Sequence, residues 1–493
     1  MNRHPYEILY NDNGDILAKI YPHQAGKVVY VYDDTGKLEN ILAGLSSTQY
    51  AYQESTGLVK SAVVTEPGYE LKQEFRHHAG ILKDERLKFV GRADLANAHF
   101  KYQYDGNARL SSIEAEINSK ELPALKLKYN QNLGMLEGVS DLRVYKNTFN
   151  KSVMQDTSKQ FFTITERDSH GRLKYFLINI KHVDVFRLEL EYDKRSRISA
   201  QKTTIGRKNL ADKFEYNSDG HLLEVTGDSN WKFVYDENGN VIGTIDKGDK
   251  ITLGYDSGDR VVQYGDVEFC SYDGRGFVVR RGEQKYRYTS RGFLVHAVEK
   301  GKFQTWYHYD ERGRLLAYRD DKGELVQYFY ANPSAEDLIT HVHFPKTGRT
   351  TRLLYDERQV LIAIETDKRF YVATDQNGSP VAVFDAAGNV VKQVSRTPFG
   401  KVIKDTKPDL YIPVDFHGGI LDPRTGLVYI RRRLYDPVVG QWITPAWEDL
   451  ANKLTTPTDV FIYRFNNNDP INSGTPLNYM TGEIKSKYYF LYG

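Results

Sequence analysis

A tyrosine, an acidic or amide residue, a short gap, a glycine and then an aliphatic residue recur along most of this chain. Clear copies are Tyr32-Asp33-Asp34-Thr35-Gly36-Lys37-Leu38, Tyr235-Asp236-Glu237-Asn238-Gly239-Asn240-Val241 and Tyr309-Asp310-Glu311-Arg312-Gly313-Arg314-Leu315. Looser copies start at Tyr10, Tyr52, Tyr104, Tyr129, Tyr192, Tyr216, Tyr255, Tyr272, Tyr288 and Tyr355. Neighbouring copies lie roughly twenty residues apart, the self-similarity of a repeat architecture. One Tyr-Asp pair is a common turn start; about a dozen in phase with glycine and an aliphatic residue define a repeating unit.

Each unit derives as a β-hairpin. In Trp231-Lys232-Phe233-Val234-Tyr235 the aromatic residues share one face at period two. The acidic or amide side chain opens the turn by accepting backbone N–H groups two or three residues on. The glycine supplies a positive φ without a Cβ penalty, and the aliphatic residue two positions later begins the return strand. About twenty residues hold two strands and two turns and leave no room for a helical crossover. A lone hairpin is marginal in water, so the units must bury their aromatic faces against one another. The 36 Tyr and 23 Phe against 4 Met fit stiff side chains at half-buried strand positions, with the tyrosine hydroxyls at a wet boundary.

Length alone, 493 residues, would allow about three domains, but stacked repeats share one sheet. Cys270 is the only cysteine, so no disulfide forms within the chain, and the count leaves the redox compartment open. Lys+Arg 67 against Asp+Glu 65 gives a formal charge of +2, with both signs scattered as on a solvated sheet face. This implies no general attraction to nucleic acid or anionic lipid. No apolar run approaches the roughly eighteen residues of a membrane span, so no direct membrane insertion is expected. Met1-Asn2-Arg3-His4-Pro5-Tyr6 has no signal-peptide apolar region, and Lys487-Tyr488-Tyr489-Phe490-Leu491-Tyr492-Gly493 has no polar cap; both ends read as cuts through a longer array.

The regular array runs over residues 1–365. It loosens near Ser140, where Asn147-Thr148-Phe149-Asn150-Lys151-Ser152 predicts a loop, and Leu338-Ile339-Thr340-His341-Val342-His343-Phe344 alternates as a strand. From about 366 the character changes. Phe370 to Pro380, with Asp375-Gln376-Asn377-Gly378-Ser379, leads to Thr397-Pro398-Phe399-Gly400 and then Phe416-His417-Gly418-Gly419. Asp422-Pro423-Arg424-Thr425-Gly426 follows, and the series closes with Arg431-Arg432-Arg433-Leu434-Tyr435-Asp436-Pro437-Val438-Val439-Gly440-Gln441-Trp442-Ile443-Thr444-Pro445.

The order and spacing of these motifs resemble the terminal core of the Rhs/YD-repeat superfamily, and within it the chain is most similar to the teneurins. The resemblance covers essentially the whole chain. It implies an all-β fold in which YD-repeat hairpins spiral into a large hollow barrel-like shell (1–365), closed by an Rhs-type core (366–470), with the truncated start of a C-terminal linker over 471–493. Phe416, His417, Gly418, Gly419, Asp422, Pro423, Gly426, Tyr435, Asp436, Pro437, Gly440 and Trp442 are then the structural motif of that core. Teneurins are single-pass cell-surface adhesion proteins of the nervous system. The resemblance therefore implies an extracellular segment that binds latrophilin-type receptors and other teneurins, with homodimerisation through upstream regions that the chain lacks.

The bacterial branch of the superfamily encloses a C-terminal toxin and frees it by aspartyl chemistry, which needs two carboxylates sharing a proton. Ala446 stands where that motif has its second aspartate, leaving Asp436 without that partner, so no self-cleavage is expected. A toxin-enclosing shell is the competing reading. A carbohydrate-binding repeat is a third, resting only on the tyrosines. No catalytic site and no cofactor are expected.

Remaining candidates have plainer readings. His341 and His343 share a strand face, but two imidazoles fall short of the three protein ligands of a catalytic zinc site. His77-His78 reads as turn filler. Arg431-Arg432-Arg433 reads as a core strand whose arginines meet shell carboxylates, since nucleic-acid binding needs a wider basic footprint. Gly274-Arg275-Gly276 belongs to a repeat turn and not to a phosphate cradle. Asn150-Lys151-Ser152 and Asn377-Gly378-Ser379 are glycosylation sequons, the second weakened by Pro380.

Overall fold

The computed structural model describes residues 6–446, apart from 133 and 149, and 462–472. Nearly all of the linker expected over 471–493, and Met1 to Pro5, lie outside the described residues. Forty-three strands and no α-helix occur among the described residues. Up to Asp405 each strand but Val267–Glu268 pairs antiparallel with the next in sequence, as Lys27–Tyr32 does with Leu38–Ala43 and Phe303–Tyr309 with Leu315–Asp320. The result is one long strip of hairpins. It is interrupted formally at Phe269, whose N–H donates to Val262 on one side and whose carbonyl accepts Gly282 N–H on the other, at 2.8 and 2.7 Å.

The turn chemistry follows the repeat. The Asp33 carboxylate accepts the backbone N–H groups of Thr35 and Lys37, and Asp310 those of Arg312 and Arg314. These are two and four residues on; the third N–H, that of the glycine, goes instead to the aspartate's own carbonyl. Gly36, Gly239 and Gly313 take φ of 81, 79 and 78°, and the aliphatic residue pairs back with the tyrosine, as Leu38 with Tyr32.

The tyrosine hydroxyls depart from the wet boundary expected for them. In twelve places among the described residues the hydroxyl donates to the carbonyl of the aliphatic residue one repeat earlier, at 2.5–3.0 Å. Tyr216 donates to Ile198, Tyr309 to Leu294 and Tyr330 to Leu315. Each ring thus fastens one hairpin to its predecessor, and burial raises the phenol pKa, to about 12 at Tyr52 and Tyr192. Where arginine follows the positive-φ residue, Gly171 or Ser196, it joins the same link. Arg172 and Arg197 bind the aspartate of their own turn at 2.7 and 2.8 Å and lie 4.1 and 4.5 Å over the next tyrosine ring, that of Tyr192 and Tyr216.

The strip also returns on itself. Hydrogen bonds join segments 205 to 243 residues apart, so a second winding lies against the first. Along this seam the Gln327 amide exchanges two bonds with the Ala96 backbone, and Arg369 grips both oxygens of Asp141 at 2.8 Å. Arg352 reaches the carbonyls of Pro123 and Ala124, while Phe161 stacks on Tyr371 with centroids 4.0 Å apart. One core cluster runs through both windings.

Two details correct the sequence reading. His77 and His78 end the strand Tyr69–His78, and the turn falls on Ala79-Gly80. Leu361–Glu365 and Arg369–Thr374 are paired neighbours, so no break in the sheet marks residue 365; the strip continues to Asp405.

Replacing Tyr192 with Phe keeps the ring and removes one staple, leaving the Leu173 carbonyl without that donor. The expected loss is about 1 kcal/mol in urea denaturation. Tyr32→Phe, Tyr192→Phe and Tyr309→Phe, in well-separated repeats, are expected to add.

The core segment as candidate functional site

Beyond Asp405 the chain leaves the strip and forms a four-stranded sheet, Ile420–Leu421, Val428–Ile430, Arg433–Asp436 and Gln441–Trp442. Most of the expected motif residues build this unit. Phe416, Val428, Ile430, Tyr435 and Phe465 make its apolar centre, with Trp442 packed against it. Phe416 stacks on Tyr435 at 5.5 Å, Phe465 lies 4.4 Å from Tyr435, and Trp442 lies 5.3 Å from Phe465. Gly419 is required by close approach, because a Cβ there would lie 2.6 Å from Ile430 and 2.7 Å from Val428. Gly440 combines φ of +73° with the Phe399 ring 2.9 Å from where its Cβ would stand.

The two motif aspartates face the strip. Asp422 opens a turn with exposed Pro423 beside it: its carboxylate accepts Arg424 N–H at 2.9 Å and the Thr425 hydroxyl at 2.7 Å, and its carbonyl accepts Gly426 N–H. The hydroxyl of Tyr307, from the second winding, completes its partners. Asp436, with buried Pro437 following, is wholly inaccessible and accepts both Arg281 Nε and Nη2, at 2.5 and 2.7 Å. It also accepts Val438 N–H, while Gly440 N–H returns to its carbonyl. Arg424 bridges to Asp320 and Glu324. Tyr429 donates to the Gly313 carbonyl and Tyr435 to that of Phe399.

His417 makes the last tie. Its backbone N–H donates to Ser379 Oγ at 3.1 Å, and its Nε2 sits 3.0 Å from the Pro470 carbonyl, which can only accept, so Nε2 carries the proton. Burial lowers its pKa to about 4, against the help of the Pro470 bond. Asn377 Nδ2 donates to the Pro470 and Ile471 carbonyls at 2.9 and 3.2 Å. At 4 % exposure Asn377 offers no glycosylation acceptor, which corrects that expectation. Asn150 is exposed in the turn between Leu142–Thr148 and Lys151–Asp156.

The arginine triplet also differs from the strand expected. Arg431 and Arg432 form the hairpin turn, with φ of 46 and 71°, and only Arg433 is in the strand. Arg432 faces Asp337 at 3.4 Å; Arg433 lies 4.2 Å over Trp442 and donates to the Thr444 and Ile462 carbonyls. His341 and His343 are buried and bond to Thr340 and Thr350. No group of three metal-ligating side chains occurs among the described residues.

Arg281, Tyr307 and Phe465, which complete the core, escaped the sequence reading. They lie far along the chain from their partners and carry no local motif.

A strip of stapled YD hairpins fastened to a glycine- and proline-punctuated core defines a YD-shell protein. The chain matches the Teneurin YD-shell family model over residues 1–471, and it belongs to that family. It is 61% identical to Teneurin-m of Drosophila melanogaster over 481 residues, covering 97% of this chain and 18% of that protein. It is 31% identical to Teneurin-3 of Danio rerio, covering 94% of this chain and 17% of the relative. The chain thus spans less than a fifth of the length of the curated relatives it matches. Among solved structures, the Photorhabdus luminescens Tc holotoxin pore superposes with a TM-score of 0.65 at 14% identity, over 96% of this chain and 28% of that one, a likeness of fold.

Arg281→Met leaves the Asp436 carboxylate buried without its counter-ion and is expected to cost 3–5 kcal/mol, roughly, in denaturant unfolding. The folded-state pKa of His417 is depressed, so its contribution is complete above the unfolded value near 6.5 and lost as pH falls toward 4. Across that window His417 should remove about 3 kcal/mol. His417→Gln is expected to lower the proton uptake on unfolding by about one, read from the pH slope of stability.

Proposed function

We propose that this chain is the extracellular adhesion scaffold of a teneurin-type cell-surface protein. In this reading its outer wall is presented to latrophilin-type receptors and to other teneurins in neuronal cell–cell recognition. Upstream regions would supply dimerisation, and the segment itself would neither enter the membrane nor bind nucleic acid. Family membership over nearly the whole chain is the observation that carries the reading.

The chemistry of the core supports a structural role. Aspartyl cleavage needs two carboxylates that share a proton and stay free to exchange it. Asp436 is instead held by both nitrogens of the Arg281 fork, and Asp422 by Tyr307 and Thr425. Tying these carboxylates to the strip uses them as fasteners between core and wall.

Two measurements test the reading. Beads coated with the folded chain should capture cells displaying a latrophilin-type receptor and should aggregate with one another. Failure of both, with the β-sheet circular dichroism signal intact, would contradict the proposal. Purified chain held for days at pH 5 to 8 should run as one full-length band, whereas a cut near Pro445 would favour a processing shell.

A further inference from the structure

Glu85 stands on the inward face of the first winding, paired across the sheet with Phe75 and Phe100, and is 8 % exposed. Its carboxylate accepts the Tyr102 hydroxyl at 3.1 Å and a long bond of 3.4 Å from Gln73 Nε2. Both donors are neutral. The wholly buried Gln73 amide has no donor for its Oε1 among the described residues, so acceptors outnumber donors at this spot. The segments that meet here, 69–104 and 303–344, are described throughout.

The second winding brings its own acids to the same seam. Asp310 and Glu311 open the turn after Phe303–Tyr309, each 1 % exposed, and the Tyr69 hydroxyl of the first winding reaches the Tyr309 carbonyl at 3.4 Å. Arg314 binds Asp310 at 2.5 Å, and Arg312 is shared between Glu311 at 3.1 Å and exposed Glu336 at 2.5 Å. Arg291, which reaches the Glu311 carbonyl, acts on Glu66 and is balanced by it. Three buried carboxylates, Glu85, Asp310 and Glu311, therefore share the field of two guanidiniums, one of them also serving Glu336. A buried excess of negative charge is relieved by binding a proton. Burial and then the Asp310 charge push the Glu311 carboxyl up to about 7, and the Glu85 charge adds to the rise. Burial raises Glu85 as well, against the pull of Arg314 and Arg312.

We propose that Glu85 and Glu311 form a proton-held latch between the two windings, in which a proton retained by the pair lets carboxyl groups of both windings stay buried in one seam. Losing that proton sets like charges against each other across the seam and loosens the closure of the shell. A carboxyl raised in the folded state contributes stability that is complete below the unfolded value near 4.5 and is lost as pH rises through about 7. The slope opposes that of His417, so the latch is read from the difference between variant and wild type.

Urea unfolding of the whole chain between about pH 5 and 8.5 tests the latch. Glu311→Gln should match the wild type near the acid end and exceed it at the alkaline end by on the order of 100-fold in the folding equilibrium constant. Glu85→Gln, in the other winding, should gain in the same direction, and the double variant should gain less than the sum of the two, because the pair is coupled. Infrared spectra of the wild type in heavy water should show a carboxylic-acid C=O component that fades between about pH 6 and 9 and is weaker in either variant. Variants no more stable than the wild type at the alkaline end, a stability difference that does not change with pH, or an infrared component untouched by both substitutions would overturn the proposal.

Discussion

The hydrogen bond from a repeat tyrosine to the carbonyl one repeat earlier, made at twelve places among the described residues, is the interaction on which the wall depends. A hairpin strip has a pairing partner at every strand, but pairing alone leaves successive turns free to splay. The tyrosine spans that gap, and its hydroxyl ends on the backbone carbonyl of the neighbouring aliphatic residue. Such a bond contributes about 1 kcal/mol net, and repetition makes it structural. The aspartate that follows orders the turn so that the tyrosine projects in the same way each time, and arginine after the positive-φ residue ties aspartate and next tyrosine together. The same short stretch of sequence thus specifies the turn, the spacing and the link to its neighbour.

Winding adds a second level. Once the strip returns beside itself after 205 to 243 residues, side chains that would face solvent in one winding find partners in the other. The Gln327 amide serves as a piece of β-ladder for Ala96, and Arg369 clasps Asp141. The core then ties the windings from the C-terminal side. Asp436 and Asp422 reach the second winding through Arg281 and Tyr307, and Asn468 and Asn472 reach Gly239 and Tyr216 in the first.

The fold was legible in the sequence because its determinants are local. Tyr32 to Leu38 contains the strand end, the turn acceptor, the positive-φ glycine and the start of the return strand within seven residues. The destination of the tyrosine hydroxyl was not legible, because its acceptor is a backbone atom that no side chain announces. In the core, Phe416, Asp436 and Trp442 could be named from motif order, whereas Arg281 and Tyr307 could not; their partners are 155 and 115 residues away. Asn377 shows the opposite failure. Its sequon is a three-residue pattern, and the burial that removes it as an acceptor comes from Pro470 and Ile471, on the far side of the core. The Arg431-Arg432 turn was missed because two arginines defy the turn preferences from which such positions are read.

That the two windings and the core form one interlocked body is most directly tested by native-state hydrogen exchange with mass spectrometry. If stapling and seam contacts join them, the most protected amides of Tyr69–His78, Phe303–Tyr309 and Arg433–Asp436 will exchange with one shared opening free energy and shift together as denaturant is added. Separate opening energies for the two windings, with the core exchanging independently of both, would contradict the account.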